Sequence, residues 1–185
     1  MFVRICYNSG MQNYLQGNSK HPQHLSVGAI LLNDKNEVCC HHFVNNQLKG
    51  YWPDLNIDDL YILMRETLNP GENLDSGVKR GLMEEFGAEA EIIDYIGSIK
   101  SHFKSKEVEI EKTTLYFVCK LLSQDLNKRS DEDIESKSNI EWQKADYLIP
   151  KMKEQSKKYG RTDIDESEIL ERFRKSLNII VCEPQ

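Results

Sequence analysis

Residues 66–88 read ETLNPGENLDSGVKRGLMEEFGA, and this stretch decides the fold. Asn69-Pro70-Gly71 is a turn signal, because proline presets one turn dihedral and glycine supplies the other. Beyond it, Asn73 can cap a helix whose apolar residues Leu74, Val78, Leu82 and Phe86 repeat every four positions. Gly87 then offers the left-handed residue that ends such a helix. On that helix Arg80 and Glu84 share one side, while Gly81, Glu84 and Glu85 share an overlapping face. Paired glutamates alone are usually a solvated face. Held together they repel unless a cation lies between them, and all-oxygen ligation suits Mg²⁺ or Mn²⁺.

Upstream, Leu60 to Met64 reads as a short strand. Leu25 to Leu32, the turn Asn33-Asp34-Lys35-Asn36 and Glu37 to Val44 read as a hairpin. Downstream, Ala90 to Ile99 and Val108 to Leu122 read as strands, and the charged stretch Ser123 to Asn139 reads as an exposed loop. A short strand at Ile140 to Trp142 precedes a helix over Leu148 to Lys158, with Pro150 expected in its first turn or bending it. A last helix follows Asp165, which can cap with Glu168, and carries Ile169, Leu170, Phe173 and Leu177 on one face. Strands surround one central helix without strict strand–helix alternation. The expected class is therefore α+β, a mixed sheet flanked by helices rather than a doubly wound parallel fold.

The stretch resembles the Nudix box, G-x5-E-x7-R-E-U-x-E-E-x-G-U, where U is a bulky aliphatic. Glu72, Arg80, Leu82, Glu84, Glu85 and Gly87 match, and Ala88 matches the final aliphatic loosely. Two positions depart: Glu66 replaces the first glycine and Gly81 replaces the glutamate after the arginine. The resemblance extends over residues 25–158 and implies a Nudix-like α/β/α sandwich there. Residues 1–24 then form an N-terminal extension and residues 159–185 a C-terminal helical extension. It further implies that the helix holds metals bridging a diphosphate, with Arg80 paired to Glu72 to orient the carboxylates. Lys112 to Phe117 resembles a strand of members that cleave dinucleoside polyphosphates, making Lys112 and Tyr116 candidate substrate contacts, although Tyr116 in an apolar strand also suits a core ring. The missing carboxylate at Gly81 leaves three readings. Glu66 points at the same metal; a base comes from Glu107, Glu109, Glu111 or His102; or catalysis is weak or absent. The expected catalytic set is Glu66, Arg80, Glu84 and Glu85, with metal on Glu66, Glu84 and Glu85.

Composition bounds the partners. The chain has 185 residues, with 24 Lys and Arg against 30 Asp and Glu, giving a net charge of −6. That balance argues against a protein held on nucleic acid or an anionic membrane by its own positive field. Met1 to Tyr14 lacks the build of a signal peptide, and no apolar run reaches the roughly 18 residues of a membrane span. The five cysteines show no CxxC spacing, which fits a reducing, cytoplasmic location. Cys39-Cys40-His41-His42 is not read as a zinc site, because successive strand side chains point to opposite faces. Two functions follow as expectations. One is metal-dependent hydrolysis of a phosphoanhydride in a nucleoside diphosphate derivative. The other is a module of the same fold that binds a nucleotide or protein partner without turnover. The apolar face of the last helix is expected to pack on its own domain or on a second copy in a homodimer.

Overall fold

In the computed structural model, which describes residues 15–50, 52, 56–105, 107–131 and 134–180, the capped helix forms as its spacing predicts. Helix α1 runs over Leu74–Phe86. Asn73 Oδ1 accepts the Ser76 N–H at 2.8 Å, and Gly87 ends the helix at φ 60°. A Cβ on Gly87 would stand 2.1 Å from the Asp125 carbonyl oxygen. Gly87→Ala combines that collision with a left-handed penalty of about 1–2 kcal/mol. It is expected to cost at least about 2 kcal/mol of stability, read from the midpoint of urea unfolding.

Among the described residues seven strands form one sheet: β1 (Gln23–Leu32), β2 (Val38–Val44), β3 (Asp59–Ile62), β4 (Met64–Thr67), β5 (Ala88–Ser105), β6 (Val108–Gln124) and β7 (Asn139–Gln143). The order is β3-β2-β1-β6-β5, with β4 also pairing β1 and β7 pairing β2. Strands β1 and β6 are parallel, Val27 opposite Leu115, and the other pairings are antiparallel. The sheet is mixed, as expected. On one face Val78, Leu82 and Phe86 of α1 pack with Val27, Ala29, Leu31, Met64 and Phe117. The other face is covered by α2 (Ala145–Tyr159) and α3 (Ser167–Ile180), whose Leu148, Met152, Ile169, Leu170 and Phe173 pack with Ile30, Val38, Tyr61, Tyr116 and Val118. This is the expected α/β/α layering.

Three local readings change, and the packing of the last helix follows the first of its two expected alternatives. The single strand expected over Leu60 to Met64 is two, because the chain crosses there from pairing with β2 to pairing with β1. The break is Leu63, whose N–H donates to Glu166 Oε2 at 2.7 Å. Helix α2 begins at Ala145, so Pro150 falls in its second turn, where it deprives the Asp146 carbonyl of its usual helical donor. Within Ser123 to Asn139, short 3-10 turns form at Leu126–Lys128 and Ile134–Lys137. The last helix buries its apolar face on its own domain, so that face is not left for a second copy. Among the described residues no helix is long and apolar enough to cross a membrane. Most of the N-terminal extension, residues 1–14 with Cys6, lies outside the described residues, as does Cys182.

Candidate active site

Arg80 organises the acidic turn. Its Nε and Nη2 donate to the two oxygens of Glu72, each at 2.9 Å. Nη2 also donates to the Thr67 carbonyl at 2.8 Å, tying α1 to the end of β4. Its Nη1 lies 3.0 Å from Glu84 Oε2 and 3.1 Å from Glu66 Oε1. These are charge-assisted bonds around a planar donor that stays protonated. They hold the Glu72 carboxyl below the usual carboxylate range. Glu66 moves the other way: burial raises it, Arg80 pulls it back, and Glu84 adds repulsion.

Glu66 reaches this position because residue 81 has no side chain. A Cβ on Gly81 would lie 2.7 Å from Glu66 Cβ and 2.7 Å from Met64 Sδ. Met64 and Glu66 point from alternate positions of β4 toward α1, and Glu66 fills the volume above Gly81. The two departures from the box are thus one steric unit.

Glu85 stands apart from its neighbour Glu84. Its side chain is 6% exposed, and Oε2 lies 2.7 Å from Nε2 of fully buried His41. The proton on the far ring nitrogen of His41 follows from the next bonds. Ser138 Oγ donates its proton to the Glu135 carbonyl at 2.7 Å, so it accepts from His41 Nδ1, also at 2.7 Å. Burial lowers His41 to about 3 and pushes Glu85 well above the ordinary carboxyl value. Burial therefore opposes charge on both members of the pair. Arg129 closes the network, donating to the backbone carbonyls of Glu85 and Glu135 at 2.7 Å each.

Of these groups Glu66, His41, Glu85 and Glu135 line a cleft of about 760 Å³, together with Arg65, Lys104, Lys112 and Arg161 and with Phe43, Trp52 and Phe103 among others; Glu72, Arg80 and Glu84 are not among its lining residues. Lys112 has no ion pair among the described residues, and burial and then Arg65 push its ammonium down to about 8. His24, on the same wall, is lowered by burial and by Lys112 to about 4 and is neutral. Tyr116, a candidate substrate contact from the sequence, is instead a core residue. Its ring is 1% exposed and its hydroxyl donates to Glu166, so it offers no face for stacking. His102 and Glu111 are exposed and lie 3.6 Å apart, and neither they nor Glu107 or Glu109 line the cleft. His41, Arg65, Glu135 and Arg161 were not singled out as site residues from sequence. Arg65 had a local signal in its place beside Glu66; the others are brought in by tertiary contacts.

The donors fit a hard divalent cation. Among the described residues no group of three His, Cys, Asp or Glu side chains is gathered closely enough to hold a metal alone. Glu66 and Glu84 nevertheless converge on one cationic nitrogen, Nη1 of Arg80. One or two carboxylates completed by substrate phosphates is the usual protein share of a Mg²⁺ site.

The NUDIX domain family model matches residues 22–162. Nudix hydrolase 5 of Arabidopsis thaliana is 29% identical over 97 residues, which are 52% of this chain and 29% of that protein. The match thus spans under a third of the curated relative's length. A NUDIX hydrolase from Nitrosomonas europaea superposes with a TM-score of 0.57 at 14% identity, covering 82% of this chain and 88% of the other. The MutT protein from Methanosarcina mazei Go1 gives 0.51 at 19% identity, with 84% and 95% covered. These two likenesses concern the fold.

Proposed function

Because the chain belongs to the Nudix family, we propose that it hydrolyses a phosphoanhydride in a nucleoside diphosphate derivative, with Mg²⁺ or Mn²⁺ as cofactor. The observation that carries the reading is the placement of Glu66 in the space left by Gly81, beside Glu84 on Arg80. It returns a carboxylate to the region from which the box glutamate is missing. In this reading Glu66, Glu84 and Glu85 hold the metal, Glu85 from the cleft wall. Bound there, the cation neutralises diphosphate charge and lowers the pKa of an attacking water. The chain's own residues do the rest. Arg80 and Glu72 orient the carboxylates, and Lys112 supplies positive charge for the substrate's phosphates. The aromatic rings of the cleft exclude water around the substrate. A dinucleoside polyphosphate remains the favoured substrate, on the Lys112 to Phe117 strand resemblance alone. The second reading, a binding module without turnover, is favoured by the engagement of Glu85 with His41.

The deciding experiment is purified protein with Mg²⁺ or Mn²⁺ against nucleoside triphosphates, nucleoside diphosphate sugars and dinucleoside polyphosphates. Cleavage of at least one compound, abolished by a chelator, is expected. No cleavage with either metal would select the binding module. Activity surviving Glu84→Gln with Glu85→Gln would place the chemistry elsewhere.

A further inference from the structure

The C-terminal segment contributes a buried acid that the mechanism above does not use. Glu166 is 1% exposed, and two hydrogen-bond donors and one guanidinium meet its carboxylate. The Leu63 N–H reaches Oε2 at 2.7 Å, the Tyr116 hydroxyl reaches Oε1, and Arg65 Nε lies 3.7 Å from Oε1. The first of these satisfies the backbone at the β3–β4 break, two residues before Arg65. The third faces Arg65 itself, which also donates through Nη1 to the Asp163 carbonyl. Asp163 is fixed in turn by two bonds from Arg161, whose guanidinium lies 4.2 Å over the Trp52 ring at the cleft wall.

Arg65 is therefore held from behind and open in front. Its side chain is 15% exposed and lines the cleft with Glu66 and Lys112. Among the described residues, Nη1 alone of its side-chain nitrogens has a hydrogen-bond acceptor, and with Nε turned to Glu166 Nη2 is left for a ligand. Two cations, Arg65 and Lys112, share this wall although they repel one another. Like charges brought together in a cleft are stabilised by an anion that bridges them.

We propose that Arg65 is an anion-binding residue of the cleft, taking a phosphate of the substrate, and that Glu166 is the positioning residue that aims it. The proposal rests on the hydrolase reading only for the identity of the anion. A guanidinium fork matches two phosphate oxygens at once, and its aim depends on what fixes the other edge. The C-terminal helical segment is then part of the site, since it supplies both Glu166 and the Asp163 carbonyl.

The test is calorimetric titration of inorganic pyrophosphate, in Mg²⁺ buffer, into wild-type protein and the Arg65→Met, Arg65→Lys and Glu166→Gln variants. Arg65→Met is expected to weaken binding about ten- to a hundredfold, the loss of charge-assisted bonds. Arg65→Lys keeps the charge and the contact to Asp163 and is expected to weaken it several-fold; it carries the test if Arg65→Met does not fold. Glu166→Gln separates positioning from field. Removing a negative charge near an anion site strengthens binding by electrostatics alone, whereas a lost aim weakens it. Weaker binding is expected, with KM raised and kcat little changed on any substrate found. Tighter binding by Glu166→Gln, Arg65 variants that match wild type, or a wild type that ignores pyrophosphate would each overturn the proposal. A wild type that binds pyrophosphate yet cleaves no substrate would sink the hydrolase reading and leave the Arg65 comparison decisive.

Discussion

Glu66→Gln is expected to lower turnover on the preferred nucleoside diphosphate derivative by about two to three orders of magnitude, the usual cost of deleting one group that acts on the reacting centre. Stability is expected to change little. The amide keeps the volume above Gly81 and an oxygen for Arg80 Nη1, which lies 3.1 Å from the carboxylate. Loss of the charge also removes a repulsion, because burial and Glu84 already disfavour ionised Glu66. The two readouts should therefore part, with kcat falling and the thermal midpoint staying within a few degrees. Mn²⁺ binding, followed by electron paramagnetic resonance, should weaken by about ten- to a hundredfold in the same variant. An unchanged rate with unchanged Mn²⁺ affinity would remove Glu66 from the chemistry and leave its carboxylate as a structural partner of Arg80.

The parts of this site that can be read in the sequence are those set by residues close along the chain. Asn73, the four-residue apolar spacing and Gly87 define α1 because caps and periodicity act within one or two turns. The meeting of Arg80 with Glu84 follows from the same short spacing, and its pairing with Glu72 is what the box resemblance implies. Other parts depend on which element covers which face. Alternation in β6 puts Tyr116 on one side of the sheet, but only the packing of α2 and α3 decides that this side is dry and that Glu166 receives the hydroxyl. Glu85 looks like half of a solvated pair until His41, 44 residues away in sequence, closes over it. The stretch after β6 reads as solvated from its charge, yet Arg129 spends its guanidinium on the backbone carbonyls of Glu85 and Glu135. That charge serves to satisfy chain that would otherwise lack donors. The break at Leu63 has no local signal either, because it marks a change of partner strand and not a change of residue type.

Gly81→Glu, the substitution that completes the box on paper, is expected to destabilise the protein by about 2–4 kcal/mol and to give no gain in activity. The new Cβ alone would stand 2.7 Å from Glu66 Cβ and from Met64 Sδ, in a core that relaxes only by moving β4 against α1. The new carboxylate would also join Glu66 and Glu84, where repulsion and burial already oppose ionisation. Replacing glycine in a helix interior returns only about 1 kcal/mol. Glu66→Gly in the Gly81→Glu background clears the volume and leaves one carboxylate where the single variant has two. The double variant is expected to recover at least about 2 kcal/mol over Gly81→Glu, a coupling far larger than independent sites show. Its activity should also exceed that of either single variant. Urea unfolding and initial rates of the four proteins form the cycle. Additive stabilities, or a Gly81→Glu protein as stable as wild type and faster, would show that Glu66 does not occupy the space of the missing side chain. The coupling sought is specific to this chain, because it arises only where a strand carboxylate and a helix glycine face each other at contact distance.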